Sequence, residues 1–375
     1  MNVNLWNNEY NPFQKFKVLC HFERMKKIKT GNFDAPVNIA LDIIQGTQEK
    51  KKCGKGFNCN FCMSSWEEQG EDASIPKEIL LTIPEFYNIW GVKSICLAGH
   101  HSDPTMYNNS VLIDFMRLCN KWNIEIGIVS NGAYYSKHLL VEVARTCRWS
   151  GFSVNAGTAE GHEVITRTEP GTFDKVIDNM KFLAEYCKEY KLDHDIGYKY
   201  LITDDNYKDI LTGIKLAKDI GVRHFQLRPT DLPIERSSKI DVQHVEDQIK
   251  EGLAKYEKTN EFEIFGIREK FTAEFTKKAP YKCIASPLGS TWMANGDVVI
   301  CPDRRWSAHQ PKMRLGNFIT DGLEGIRRKW GSKEHHEMIA EANRRIGECH
   351  RCTSWHWNDL YKNTVENDVM DLTLI

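Results

Sequence analysis

From residue 37 onward, short β-branched runs alternate with stretches whose apolar residues recur at helical spacing. The runs VNIALDII (37–44), SICLAG (94–99), EIGIVSN (125–131), GFSVNA (151–156), IGYKYLIT (196–203) and HFQLRP (224–229) predict strands. Between them PKEILLTIPEFYNIWG, VLIDFMRLCNKWN, KHLLVEVARTC, TFDKVIDNMKFLAEYCKEY and YKDILTGIKLAKDIG predict helices, the last stopped by Gly221. Such alternation implies parallel βαβ units, an α/β fold whose chemistry gathers beyond the carboxyl ends of the strands.

Outside this body the pattern changes. Residues 1–35 carry Trp, Tyr and Phe without a clear period, and are expected to pack on the α/β body (residues 36–235) as an extension. Residues 236–275, with VEDQIKEGLAKYEK, predict a charged helical connector. A second domain is expected over residues 276–375, opening with a hairpin, STWMANGDVVIC, whose Asn295-Gly296 pair is a two-residue turn signal.

Composition narrows the function classes. The 375 residues are 41% hydrophobic and 27% charged with a net charge of −1, the profile of a soluble globular protein without a basic surplus for nucleic acid. No apolar run approaches the ~20 residues that span a bilayer. The polar start MNVNLWNNEYNPFQ lacks a secretory core, so a cytoplasmic location is expected. In a reducing compartment the 12 cysteines are read as ligands, catalytic groups or packing thiols rather than disulfides. Cys20, Cys96, Cys119, Cys147 and Cys187 are isolated, and Cys96 and Cys119 sit in apolar contexts that suit packing. The other seven form two groups, Cys53/Cys59/Cys62 and Cys283/Cys301/Cys349/Cys352.

The first group lies in CGKGFNCNFC, just past the first predicted strand. Three thiolates on a Gly-containing loop suit an iron–sulfur cluster, or a zinc ion with a non-cysteine fourth ligand. Three ligands on a 4Fe–4S cube leave one iron open to a substrate or cofactor. Here the chain resembles the radical S-adenosylmethionine (SAM) superfamily, whose signature is C-x3-C-x2-C after the first strand with an aromatic before the last cysteine. Phe61 precedes Cys62 as in that pattern, but five residues rather than three separate Cys53 from Cys59. AGHHSDPT resembles the family's Gly-Gly-Glu-Pro-like segment, with Asp103-Pro104 matching and His101 and Ser102 in place of the glycines. SNG (130–132) and SVNAG (153–157) resemble the polar turns after the third and fourth strands.

The resemblance implies a partial (β/α)6 TIM-like barrel and a catalytic 4Fe–4S cluster on Cys53, Cys59 and Cys62. It implies SAM contacts from Phe61, Asp103, Ser130, Ser153, Asn155 and Arg167. One-electron reduction would cleave SAM to a 5′-deoxyadenosyl radical, and a flavodoxin or ferredoxin would supply the electron. In the second region, CIASPLGSTWMANGDVVICPD, RLGNFITDGLEGIRRKW and ECHRC resemble the family's SPASM/twitch domains in order. Cys283, Cys301, Cys349 and Cys352 would then hold an auxiliary 4Fe–4S cluster that accepts an electron, making the protein an oxidoreductase. The substrate is expected to meet His100, Tyr198, Lys199, Gln226 and Arg228 on the strands. A small sugar- or cyclitol-like substrate leads, because the 35-residue start looks short for a peptide-recognition domain. The alternatives are a peptide-modifying radical SAM enzyme and a non-catalytic zinc-binding interaction or nucleic-acid protein.

Overall fold

The computed structural model describes residues 15–47, 49–62, 71–229, 234–258, 260–266, 282–284, 286–301, 310–348, 352 and 355–367. The six expected strands are present as β1 (Asn38–Gln45), β3 (Ser94–His100), β4 (Glu125–Ser130), β5 (Trp149–Ser153), β6 (Asp195–Ile202) and β7 (His224–Pro229). A two-residue β2 (Ala73–Ser74) pairs antiparallel with the end of β1. Four further strands follow, β8 (Glu263–Gly266), β9 (Gly289–Trp292), β10 (Asp297–Val299) and β11 (Arg314–Asn317). The sheet order is β11-β10-β9-β1-β3-β4-β5-β6-β7-β8. From β9 through to β8 every neighbouring pair is parallel. This is an open, partial barrel.

Alternation along each strand separates a helix-facing side from the lumen. Ile39, Leu41 and Ile43 of β1, Ile126 and Ile128 of β4, and Tyr198, Tyr200 and Ile202 of β6 are buried on the outer side. The lumen side carries smaller and polar groups, including Ala40, Cys96, Gly127, Gly151 and Gly197. Two of these glycines are required by close approach, since a Cβ on Gly127 would lie 2.3 Å from the Trp149 indole and one on Gly151 2.7 Å from the Lys199 stem. Helices begin where polar side chains cap them, with Asn108, Ser136 and Thr158 accepting from backbone N–H groups of the first turn. Gly221, at φ 87°, ends its helix as the sequence predicts.

The structure departs from the sequence reading in three places. The region expected to be a helical connector contains the helix Val242–Tyr256 and then β8, which pairs in parallel with β7 and extends the barrel wall. A four-residue strand, EIFG, is too short for periodicity to declare it. The expected hairpin forms, but it is continuous with the barrel sheet, because β9 pairs in parallel with β1 from Asn38↔Gly289 to Leu41↔Trp292. The third departure concerns the N-terminal extension. Val18 and Met25 bury themselves against Ile284, Leu288, Leu360, Tyr361 and Val365, so much of its apolar surface packs on the C-terminal region as well as on the barrel. Its links to the barrel side are Ala35, buried in the main core with Phe33 packed against it, and the Arg24 guanidinium, which donates to Gly91 O at 2.6 Å. Among the described residues no helix is long and apolar enough to cross a membrane.

Trp292 joins hairpin to barrel. It is fully buried, edge-on to Tyr87 at 5.1 Å and stacked with Phe318 at 4.9 Å. Trp292→Ala is expected to cost about 3–5 kcal/mol of unfolding free energy, read from chemical denaturation, because the cavity opens where the two regions share one core.

Candidate active site

The loop after β1 carries the three cysteines and is anchored on several sides. Asn131 Nδ2 donates to Cys53 O at 2.7 Å, and the Tyr134 hydroxyl donates to Lys55 O at 3.1 Å. On the opposite flank, Asn58 N and Asn60 N donate to Thr166 O and Ile165 O, each at 2.9 Å. Arg236 donates to Asn60 O at 2.9 Å while also binding Asp204 and Asp205. Gly54 permits the turn, having φ 99° and no room for a Cβ, which would lie 1.9 Å from the Tyr134 ring. Phe61 is buried with Ala156 and Ile165, and Cys59 and Leu201 pack on the same cluster.

This anchoring gathers the thiols. The Cys53 thiol is held well above its ordinary range by burial, then by Asp103 and by its neighbours Cys59 and Cys62. Burial and then Cys62 push Cys59 up to about 12, while Lys51 and the exposed Arg167 act in the opposite direction. Buried thiols of this kind ionise only against strong positive charge, and the irons of a cluster supply it. The donor set therefore fits an iron–sulfur cluster. Among the described residues no three His, Cys, Asp or Glu side chains are placed around one point as a single ion would require. A cube instead spreads its thiolates over separate irons.

Asp103 organises the neighbouring strand ends. Its Oδ1 accepts from Thr105 N, Thr105 Oγ1 and Ser130 Oγ at 3.0, 2.6 and 2.9 Å. Its Oδ2 accepts from Ser130 Oγ at 3.0 Å and Asn131 N at 2.6 Å. Burial raises its carboxyl above the ordinary range and these hydrogen bonds oppose that shift. Asp103 and Ser130, expected at SAM, are thus paired with each other beneath the loop. His101 takes φ 50°, a left-handed conformation that glycine adopts more easily. Burial, assisted by Lys51, lowers its imidazole to about 4.

Asn155 and Arg167 also adopt left-handed backbones, at φ 58° and 59°. Asn155 is buried, accepts from Leu201 N at 2.8 Å, donates to Ser153 O at 3.1 Å and receives Asn206 Nδ2 on its carbonyl at 2.8 Å. It locks the ends of β5 and β6 together. Ser153 ends β5 on the lumen side, and Arg167 caps the helix Ala159–Thr166. Of the strand residues expected at the substrate, Lys199, Gln226 and Arg228 share the lumen face and His100 ends β3. Tyr198 does not share that face. Its ring stacks on Phe225 at 5.3 Å, and its buried hydroxyl donates to Ala156 O.

The second cysteine group is partly described. Cys283, Cys301 and Cys352 lie among the described residues, and Cys349 lies outside them. Asn343 Oδ1 accepts from Cys283 N at 2.6 Å. Asn358 accepts from Ile284 N at 2.7 Å and donates to Cys352 Sγ at 3.7 Å, so one side chain spans both cysteine segments. Hydrogen bonds of this kind tune and orient cluster thiolates.

No protein-family model and no curated protein sequence matches the chain. Among solved structures it is similar to Streptococcus suis SuiB bound to S-adenosylmethionine, with TM-score 0.61 and 15% identity, covering 87% of this chain and 73% of that one. It is also similar to native anSMEcpe with bound AdoMet, with TM-score 0.54 and 14% identity, covering 90% of this chain and 99% of that one. The chain shares the fold of these two proteins. Within that fold, the sequence reading missed Thr105, Asn131, Arg236 and Asn358. Asn131 lies inside the S-N-G turn that was singled out, whereas Arg236 lies far along the chain and carries no local signal.

Asp103→Asn is expected to destabilise the protein by about 1–3 kcal/mol. Either amide orientation sets an NH2 against a backbone N–H, that of Asn131 or that of Thr105. Denaturant unfolding checks the stability, and iron content after anaerobic reconstitution is expected to fall with it, because Asn131 also holds Cys53.

Proposed function

We propose that the protein is a radical SAM enzyme that modifies a peptide. The observation that carries the reading is the three-thiol loop at the carboxyl end of β1, clamped from both flanks in a fold shared with SAM-bound structures. Cys53, Cys59 and Cys62 would hold a 4Fe–4S cluster. Together with SAM, that cluster would supply reductive carbon–sulfur cleavage and hydrogen-atom abstraction from an unactivated carbon. The chain's own residues position and exclude. Phe61, Ala156 and Ile165 form an apolar wall beside Cys59, which keeps water from the thiols. Arg167, exposed beside Cys59, offers a cation to a SAM carboxylate, and Ser153 presents its hydroxyl at the end of β5.

The peptide reading displaces the sugar-like substrate expected from sequence. One similar structure is SuiB bound to precursor peptide SuiA, and another is native anSMEcpe with bound AdoMet and Kp18Cys peptide. Cys283, Cys301, Cys349 and Cys352 would hold an auxiliary cluster at the hairpin. Because β9 lies in the barrel sheet beside β1, that site is joined to the first by continuous backbone pairing. An electron-accepting role for the auxiliary cluster, and a flavodoxin or ferredoxin as reductant, complete the proposal.

Anaerobic reconstitution is expected to load about eight irons per chain, two 4Fe–4S clusters. Reduction with SAM should then release 5′-deoxyadenosine. Cys59→Ala is expected to abolish this release, whereas Cys349→Ala should retain it and lose modified product. Tightly bound zinc without 5′-deoxyadenosine would sink the enzyme reading. Deuterium reaching 5′-deoxyadenosine from deuterated sugars but not from deuterated peptides would restore the small-molecule substrate.

A further inference from the structure

The Cys53–Cys59 gap holds five residues, and Phe57 differs from the others in where its side chain lies. Lys55, Gly56 and Asn58 are exposed, whereas Phe57 is 5% exposed. The gap turns outward and then sends one ring back into the protein. Phe57 N donates to Gly54 O at 3.4 Å, closing a four-residue turn in which Gly56, at the third position, has φ 84°. Glycine reaches that conformation without a Cβ penalty, so the sequence itself favours the turn.

The ring enters a socket built from the segments that follow β4 and β5. It meets Tyr134 at 6.2 Å with the planes at 62°, and His162 edge-on at 6.3 Å. Tyr134 also closes over Gly54, and its hydroxyl holds Lys55 O. His162 lies on the helix Ala159–Thr166. Its imidazole is fully buried, packs on Phe173 at 5.5 Å, and leaves Nε2 without a hydrogen bond among the described residues. Burial lowers it to about 4, so the socket presents a neutral ring to Phe57. The next residue, Asn58, is tied to the same helix by its N–H to Thr166 O at 2.9 Å. Outside the turn, the Lys55–Glu169 ion pair is exposed and adds little.

A five-residue span between two ligands has many conformations, and ordering it when a group binds costs entropy. A buried ring inside the span removes much of that freedom beforehand. Gly54 to Phe57 are closed into the turn, and Asn58 alone leads on to Cys59. The helix that supplies His162 is capped by Arg167, the cation offered to a SAM carboxylate. One aromatic contact therefore relates the cysteine loop to the SAM side of the site. We propose that Phe57 is a positioning residue, an anchor by which the long Cys53–Cys59 gap seats the cysteine loop on the helix capped by Arg167. This inference rests on the radical SAM reading for what the loop holds.

The anchor is tested first on the full chain without metal, by the rate of trypsin cleavage after the exposed Lys55. Phe57→Ala is expected to speed this cleavage about tenfold, because the freed span opens more often. Phe57→Leu, which keeps an apolar group in the socket, is expected to stay near the wild-type rate. Equal rates for wild type and Phe57→Ala overturn the anchor, whatever the loop holds. In the anaerobically reconstituted chain, Phe57→Ala is expected to raise the KM for SAM in 5′-deoxyadenosine release about tenfold, and Phe57→Leu to restore it. The change that SAM makes in the electron paramagnetic resonance signal of the reduced cluster should weaken in parallel. A chain lacking Gly56 and Phe57 keeps a three-residue gap without the anchor, and is expected to behave as Phe57→Ala does. If that shortened chain folds and keeps the wild-type KM, spacing rather than anchoring positions the loop, and the assignment is overturned. Thermal unfolding checks that each variant folds. A wild-type chain that releases no 5′-deoxyadenosine sinks the enzyme reading instead, and the cleavage rates then decide the anchor by themselves.

Discussion

The arrangement of the site depends on one buried carboxylate. Asp103 is enclosed by protein, and burial alone would drive it toward its neutral form. Donors from Thr105, Ser130 and Asn131 offset that cost, and in doing so they fix the loop after β3 to the end of β4. Asn131 then extends the same network to Cys53 O. A charge that a helix or strand would never need thereby sets where the first thiol stands. The opposite flank is set by a second hub, Arg236, which gathers Asp204, Asp205 and Asn60 O. Between these hubs the longer Cys53–Cys59 spacing is absorbed by Gly54 and Gly56, both at positive φ.

The continuous sheet has a second consequence. A hairpin packed as a separate layer would communicate with the barrel only through side chains. Here β9 exchanges backbone hydrogen bonds with β1, and Trp292 shares a core with Ile39 and Leu41. Cys283 and Cys301 flank that hairpin, and the cysteine loop follows the strand it pairs with. Cys283, Cys301 and the three-cysteine loop thus lie next to adjacent strands of one sheet, and Met25 of the helix Phe22–Lys29 packs against Ile284 and Leu288 beside the hairpin.

The lumen shows how glycine placement creates chemistry. Gly127 and Gly151 leave room for Trp149 and for the Lys199 stem to fold over them. Larger residues there would clash with the Trp149 indole and the Lys199 stem. The outer faces of the same strands are filled by Tyr198, Tyr200 and Phe225, whose rings pack together and whose hydroxyls reach backbone carbonyls. One strand therefore turns its tyrosines to the packed outer face and Gly197 and Lys199 to the lumen on alternate residues.

Much of this was determined by sequence alone. Period-two and helical patterns are local, so β1 and β3 through β7, their helices and the Asn295-Gly296 turn were readable, and the spacing of the cysteines separated them into two groups. Alternation implied that some of Tyr198, Lys199, Gln226 and Arg228 point inward, without saying which. Which parity faces inward is decided by the helices packed outside, and these bury Tyr198 with Phe225. The short β8, the pairing of β9 with β1, and the docking of residues 18–25 on the C-terminal region were decided by tertiary structure. Each is a pairing between segments far apart in the chain, stabilised by surface that neither segment buries alone. Asp103 shows the division most clearly. Its place in the chain suggested a ligand contact, whereas its five hydrogen-bond distances to Thr105, Ser130 and Asn131 exist only because the barrel brings two strand ends together.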